Sequence, residues 1–341
     1  MKWAQWRNYL FLTVLVGGLL MGCGSLAQTT PSAELADAHT ASELELPVVE
    51  PVDLQGGKLR VVATTSIIGN VAAQVGGTAV DLTVLMAAGQ DPHSYQPGAR
   101  ELTAVADANV IFVNGWDLEE ALVRALANIG GSVPIVPVSA NIVPLPFGGE
   151  PGANEDHAHG GADPHVWFDV KNVEQWVKNI EKILTELDPD NGQIYAENAA
   201  GYLTQLSELE TYVEEKAATI PPEKRFLVTN HGAFGYFARA YNFQIVGTVI
   251  PGLSTLSEPS ASDLTDLVAV MKDHQVCTIF TETMVSDQLA QVVADELSFC
   301  DSVTVLPLYT GSLGPVGSGA DTYLGFMRTN VDAITAGLQS N

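Results

Sequence analysis

Short apolar runs alternate along this chain with longer stretches in which apolar residues return every third or fourth position. The runs LRVVATT (59–65), VDLTVLM (80–86), NVIFVNG (109–115) and VPIVPVS (133–139) have strand length and little polar alternation, as strands buried on both faces do. Stretches with helical spacing, such as ARELTAVADA and LEEALVRALANI, separate them. That rhythm predicts a parallel sheet covered by helices. A second series repeats it with RFLVTN (225–230), FQIVGTV (243–249), CTIFTE (277–282) and SVTVLPL (302–308). Helices are expected near 232–240, 261–273, 286–298 and 320–338. Two similar halves predict an α/β protein of two lobes, each a parallel sheet flanked by helices.

The longest helical signal lies between the halves. In VKNVEQWVKNIEKILTEL, Val173, Trp176, Val177, Ile180, Ile183, Leu184 and Leu187 fall on one face. DPDNG (188–192) interrupts the pattern, and QIYAENAAGYLTQLSELETYVEEKAA resumes it before Pro221 and Pro222. A long, rigid backbone helix joining the lobes would limit their relative motion.

The N-terminus has a different character. Lys2 and Arg7 precede an apolar run from about Tyr9 to Met21, the layout of a secretory signal rather than a spanning helix. Its end, Leu20-Met21-Gly22-Cys23, resembles a bacterial lipobox, which would make Cys23 the lipidated first residue of a chain anchored to a bilayer. The following residues are rich in Ala, Ser, Thr, Pro and acids, so a flexible tether is expected up to the start of the fold near Lys58. The expected layout is a signal segment (1–22), a tether (23–57), an N-terminal lobe (58–169), linking helices (170–220) and a C-terminal lobe (221–341). Exported thiols are usually paired. With Cys23 assigned to lipid, Cys277 and Cys300 remain, and an even remainder implies one disulfide. Adjacent parallel strands would bring these two positions together.

A chain of 341 residues suits one large domain or two linked lobes. Its formal charge of -25 argues against a nucleic-acid partner, which needs basic residues to neutralise phosphates. The same charge suits a cationic partner, and it also serves solubility.

The chain has seven histidines, and three of them stand in loop-like surroundings beside Pro, Gly or polar residues. The tripeptide Asp-Pro-His occurs twice, ending in His93 and His165, and His231 follows the run FLVTN. Singly, each histidine reads more readily as a surface or structural residue. Together they follow expected strands at the end where open α/β sheets bind ligands, so they would line a cleft between lobes. Neutral imidazole suits zinc. Asp91 and Asp163 are placed to bond the second ring nitrogen or the nearby backbone. A Gly-, Pro- and acid-rich loop, 146–164, carries His157 and His159; it reads equally as a solvated loop or as a loose collector of metal ions. Three histidines with an open fourth position also describe a catalytic zinc centre. A lipid-anchored zinc hydrolase is therefore the rival, although no H-E-x-x-H motif is present.

The motifs DPHSYQP, DPHVWFD, NHGAFGYFA, IFTET and the tail LYTGSLGPVGSGADTYLGFMRTN resemble those of the zinc/manganese substrate-binding proteins of bacterial ABC transporters. The resemblance runs from about residue 58 to the C-terminus. It implies a monomeric lipoprotein of the periplasm or cell surface that captures a divalent metal between two lobes and delivers it to a membrane permease, without turnover. It implies His93, His165 and His231 as ligands. It also tilts His157 and His159 toward gathering metal, since zinc-specific members carry a His-rich loop there. There is one departure. Many members, manganese ones especially, supply a carboxylate after the last strand, where this chain has Gly311, and manganese members often carry Glu at the place of His231. Three imidazoles without that carboxylate favour Zn²⁺ over Mn²⁺ as the transported ion, with a manganese- or iron-binding member as the alternative. The fourth position then falls to water or to a carboxylate from elsewhere. Glu282 is the first candidate, either as that ligand or as a group orienting one from behind. Asp321 is expected to cap the last helix.

Overall fold

The computed structural model describes residues 43–129, 131, 133–146 and 161–339. The expected signal segment, Cys23, His157 and His159 lie outside the described residues. Among the described residues, no helix is long and apolar enough to cross a membrane.

Every expected apolar run forms a strand. β1 (Leu59–Ala63), β2 (Val80–Val84), β3 (Val110–Val113) and β4 (Ile135–Pro137) make one sheet, ordered β2-β1-β3-β4. β5 (Phe226–Thr229), β6 (Gln244–Thr248), β7 (Thr278–Glu282) and β8 (Thr304–Leu308) make the other, ordered β6-β5-β7-β8. All pairings are parallel, as runs without polar alternation require. Each sheet reverses its strand order at the centre, between β1 and β3 and between β5 and β7. Such a reversal opens a crevice at the carboxyl ends of those strands.

The helices among the described residues are α1 (Ser66–Gly76), α2 (Ala99–Ala106), α3 (Glu120–Ile129), α4 (Val170–Leu187), α5 (Gly192–Ala218), α6 (Gly235–Tyr241), α7 (Ala261–Asp273), α8 (Gln288–Glu296) and α9 (Tyr323–Gln339). α4 buries the expected stripe from Val173 to Leu187. Asp169 caps it, accepting the Lys171 N–H at 3.0 Å. The turn at 188–191 is held by Asp188, whose Oδ2 accepts from Tyr195 and Asn191 at 2.7 and 2.8 Å. α5, rather than α4, is the longest element and packs against α4, α1 and α9, so it touches both sheets' flanking helices. One apolar core runs from Val61 and Phe112 through Trp176, Ile180, Tyr202 and Leu209 to Leu227, Phe280 and Phe326. The two sheets thus belong to one compact unit. Emptying the Trp176 site would remove about 3–5 kcal/mol from the middle of that core.

Two expectations are corrected. Residues 43–57 are not a free tether. Leu46, Val49, Val52 and Leu54 pack against the core, the Val52 N–H reaches the Leu187 carbonyl at 2.8 Å, and the Asn141 N–H reaches that of Leu44 at 3.0 Å. Asp321 does not cap α9. Its Oδ2 accepts the Gly317 N–H at 2.8 Å, and the neighbouring Thr322 hydroxyl caps the helix by accepting from Gly325 at 3.1 Å.

Cys277 and Cys300 are joined, their Cα atoms 5.9 Å apart and 23 residues apart in sequence. Pairing of β7 with β8 brings them together, as the Thr304 N–H to Cys277 carbonyl bond shows. Closing a loop of that length restricts the unfolded chain by about 3 kcal/mol. Non-reducing peptide mapping should recover the linked pair, and replacing both cysteines with alanine should lower the unfolding free energy in urea by about that amount.

Candidate metal centre

Two histidines are delivered by the same local device. In each Asp-Pro-His the aspartate Oδ1 accepts the N–H of the histidine two residues on, at 3.0 Å for His93 and 2.9 Å for His165. This is an Asx turn, and the intervening proline stiffens it with a fixed φ and no competing N–H. His231 comes from the end of β5. Its carbonyl accepts from the Thr229 hydroxyl at 2.9 Å and the Ala233 N–H at 2.8 Å, which turns the chain sharply. Gly235 then opens α6 where a Cβ would lie only 2.6 Å from Asp163 Oδ2. A glycine here lets the carboxylate sit against the helix.

The three rings meet although they are far apart in sequence. His165 Nε2 lies 3.2 Å from His93 Nε2 and 3.2 Å from His231 Nε2. The ligand atoms of all three lie within 4.8 Å of one another. Nitrogens about 2.0–2.1 Å from a tetrahedral zinc stand roughly 3.3 Å apart. An octahedral ion needs similar edges, so the spacing fits a shared divalent cation and the donor type must choose among metals. His165 and His231 are buried and His93 is partly exposed, which makes the His93 side the way in.

Carboxylates stand behind two of the rings. Asp163 Oδ1 is 2.8 Å from His165 Nδ1, and Glu282 Oε1 contacts His231 Nδ1. When both carboxylates are ionised, as a cation at the centre favours, they can only accept, so each Nδ1 carries a proton and each Nε2 is left to turn its lone pair to the centre. The second oxygen of Glu282 accepts the Thr310 hydroxyl at 2.6 Å. With both oxygens engaged, Glu282 orients His231 from behind and is not directed at the centre. Asp91 holds the backbone of His93, not its ring, and its Oδ2 accepts the hydroxyls of Ser94 and Thr255 at 3.1 and 2.6 Å.

Burial dominates the electrostatics. It holds His93 well below the usual imidazole range, and the charges of His165 and His231 add to the effect. Burial lowers His165 in the same way. Burial also opposes charge on His231, but Glu282, by charge and hydrogen bond, more than offsets it, so His231 titrates above the usual range. Burial works against ionising Glu282 too; the charge and hydrogen bond of His231 outweigh it and keep that carboxyl low. Asp163 is pushed by burial up to about 7.

Several contributors carry no signal in the sequence. Trp167 stacks edge-on against His165 at 5.4 Å and donates its indole N–H to the Thr310 carbonyl at 3.0 Å, which ties His165 of the first half to the residue that supports Glu282 in the second. At the rim, Ser66 and Ser312 hydroxyls meet at 3.1 Å, and the Gly89 N–H reaches Ser312 at 2.7 Å. Gly311 presses on the first Asp-Pro-His turn: a Cβ there would lie 2.7 Å from Pro92 Cδ. A carboxylate at 311 would have to displace the loop that presents His93.

The sequence matches the family of ZnuA, the periplasmic component A of a zinc-uptake complex, over residues 61–337. It is similar to the manganese-binding lipoprotein MntA of Halalkalibacterium halodurans, 36% identical over 283 residues that cover 83% of this chain and 89% of that protein. It is also similar to the zinc-binding protein TroA of Treponema pallidum, 34% identical over 284 residues that cover 83% of this chain and 89% of that protein. The manganese ABC transporter substrate-binding lipoprotein PsaA of Streptococcus pneumoniae is 31% identical over 295 residues, 83% of this chain and 90% of that protein. The solved structure of the periplasmic zinc-binding protein TroA from Treponema pallidum aligns with a TM-score of 0.73 at 33% identity, covering 83% of this chain and 99% of that chain.

Removing a carboxylate behind a metal-binding imidazole usually weakens the metal by roughly 10–100-fold. Glu282→Ala is therefore expected to lower affinity for divalent cations by that factor in competition with a chromophoric chelator, while circular dichroism stays native.

Proposed function

This chain belongs to the ZnuA family of periplasmic metal-uptake components, and on that premise we propose that it captures Zn²⁺ between its two sheets and hands the ion to the membrane permease of an ABC transporter. Members of the family are metal-binding solute-binding proteins rather than enzymes. The zinc hydrolase reading gains nothing from that kinship.

One observation carries the proposal: three Nε2 atoms converge at the spacing of a shared ion, two of them buried. His93, His165 and His231 are the proposed ligands, with water in the fourth position. The proposal of zinc rests on donor chemistry. Imidazole is a borderline ligand that suits zinc, whereas manganese prefers carboxylate and carbonyl oxygens. The nearby carboxylates of Asp163 and Glu282 are turned to the Nδ1 atoms, and Gly311 supplies none. The names of MntA and PsaA favour the manganese reading, and that of TroA favours zinc. Cys23 is the proposed lipid anchor, which would hold the protein in the periplasm or on the cell surface, and His157 and His159 the proposed collectors of ions on the loop before His165.

Metal analysis of the protein purified without chelator, followed by Zn²⁺/Mn²⁺ competition, tests the choice; zinc should be retained and manganese should fail to displace it. Alanine at His93, His165 or His231 should each weaken binding by more than the roughly 10–100-fold expected for a residue behind a ligand. Deleting residues 150–160 should leave tight binding intact.

The pH dependence follows from the shifts above. His231 titrates above the usual imidazole range and Asp163 at about 7, so both take up protons that a bound ion must displace as pH falls through neutrality, whereas His93 and His165 stay neutral. Binding should release roughly one to two protons, so affinity should fall at least about tenfold per unit as pH drops below about 7. Isothermal titration at about pH 7.5 and about pH 5.5 measures this, and equal affinities would contradict the site.

A further inference from the structure

The first sheet holds an ionisable group that metal capture does not use. Glu119, just ahead of α3, is 2% exposed. It fills the crevice where the first sheet reverses its strand order, the place that His231 and Glu282 occupy in the second sheet. Its Oε1 accepts the hydroxyl of Thr64 at 2.6 Å, just past β1, and the N–H of Asn114 at 2.8 Å, just past β3. Its Oε2 is buried without a well-aligned hydrogen bond, although the Gly115 and Glu119 N–H groups lie near the carboxyl, and Asn114 Oδ1 is buried without one too. The turn between them is strained: Gly115, Trp116 and Asp117 have φ of 103, 47 and 58 degrees. Left-handed conformations at consecutive residues, two of them not glycine, persist only where the surroundings enforce them. From this turn the Asn114 amide donates Nδ2–H to the Gly115 and Pro164 carbonyls, both at 2.9 Å. Pro164 immediately precedes His165.

We propose that Glu119 is an uncharged carboxylic acid which, through the side chain of Asn114, positions His165. The positioning role rests on the reading of His165 as a metal ligand. An ionised Glu119 would leave two acceptors in one buried turn without a well-aligned donor, and a charge held only by neutral N–H and hydroxyl groups with no cation beside it among the described residues. One proton on Oε2 converts an orphaned acceptor into a donor, and Asn114 Oδ1 is the acceptor that lacks one. Burial pushes the Glu119 carboxyl up by more than the Thr64 hydroxyl and the backbone N–H groups of Asn114, Glu119 and Gly115 draw it down, which favours the same form. The proton also fixes which way the amide faces. With Oδ1 committed to the acid, Nδ2 must point to the Pro164 carbonyl. Were the carboxyl ionised, the amide would gain by turning Nδ2 toward it, which would set Oδ1 against that carbonyl and release the segment that carries His165.

Infrared spectroscopy of protein labelled with carbon-13 in the glutamate side-chain carboxyl tests the protonation without any metal. At about pH 7.5, where solvent-exposed glutamates are ionised, a carboxylic-acid carbonyl band should shift with the label and vanish in Glu119→Gln. Its absence from the labelled native chain would overturn the proposal, whether or not the variant folds. Zn²⁺ titration tests the positioning. Glu119→Gln, whose amide donates in place of the acid, should bind as the native chain does. Glu119→Ala and Asn114→Ala should lose roughly tenfold, with a changed Co²⁺ absorption spectrum. An Asn114→Ala protein with native affinity and spectrum would overturn the positioning role, and a Glu119→Gln protein as weak as Glu119→Ala would overturn the uncharged form. A native chain that takes up no Zn²⁺ would remove the metal reading and the positioning with it, while the labelled band would still decide the proton.

Discussion

Three imidazoles whose Nε2 atoms face one another this closely need something cationic between them: lone pairs turned inward repel, and only an ion, or a proton such as the one His231 takes up readily, relieves them. Without an ion between them, such a cluster is a cost that the rest of the fold must carry. The carboxylates of Asp163 and Glu282 are what make it tolerable: each fixes a proton on the far side of its ring, so neither ring can turn and neutralise the centre with its own N–H. Pairing a histidine with a carboxylate in this way also raises its basicity toward a metal. The same contacts therefore hold the site open to a cation and closed to the alternative tautomer.

Holding that geometry demands a stiff body, because a displacement of a few tenths of an ångström at one ring would spoil the shared point. The stiffness comes from the α4–α5 pair. Its buried residues belong to the same apolar cluster as both sheets, so the lobes cannot part at their backs without exposing Trp176, Tyr202 and their neighbours to water. Freedom is left at the rim, where the lobes meet through hydroxyl contacts such as Ser66 with Ser312 and Asp91 with Thr255. Such contacts are worth only about 1 kcal/mol between hydroxyls and about 1.5–3 kcal/mol to a carboxylate. The resulting division, an apolar spine and a polar mouth, suits a protein that must bind an ion firmly and still let it go.

Much of this was legible in the chain. Strands without polar alternation announce parallel sheets, and the stripe from Val173 to Leu187 announces α4, because burial on one face imposes a period that one sequence displays. The doubled Asp-Pro-His was readable because its turn is local: the aspartate bonds the histidine two residues on. What depended on distant neighbours was not readable. Glu282 could have pointed at the centre or behind His231, and its direction depends on contacts with His231 and with Thr310, just past β8, that one sequence does not display. Glu119 lies in a pair of acids ahead of a helix, a pattern that usually faces solvent, and the crevice that buries it exists only once β1 and β3 are side by side. The segment 43–57 hid its packing because its few apolar residues lie among prolines and acids with no steady period. α5 was muted for a related reason: it is long but mostly polar on its outer faces.

That ordered segment has a mechanical corollary. Leu44 bonds Asn141 and lies against Gly115, at the carboxyl edge of the first sheet, and the chain then runs to Leu187 before entering β1. Any pull transmitted along the upstream polypeptide thus arrives on the side of the molecule where the imidazoles gather. Were the chain anchored at Cys23 as proposed, the body would be drawn from that side, and a single point of attachment would already restrict which face a neighbouring assembly meets.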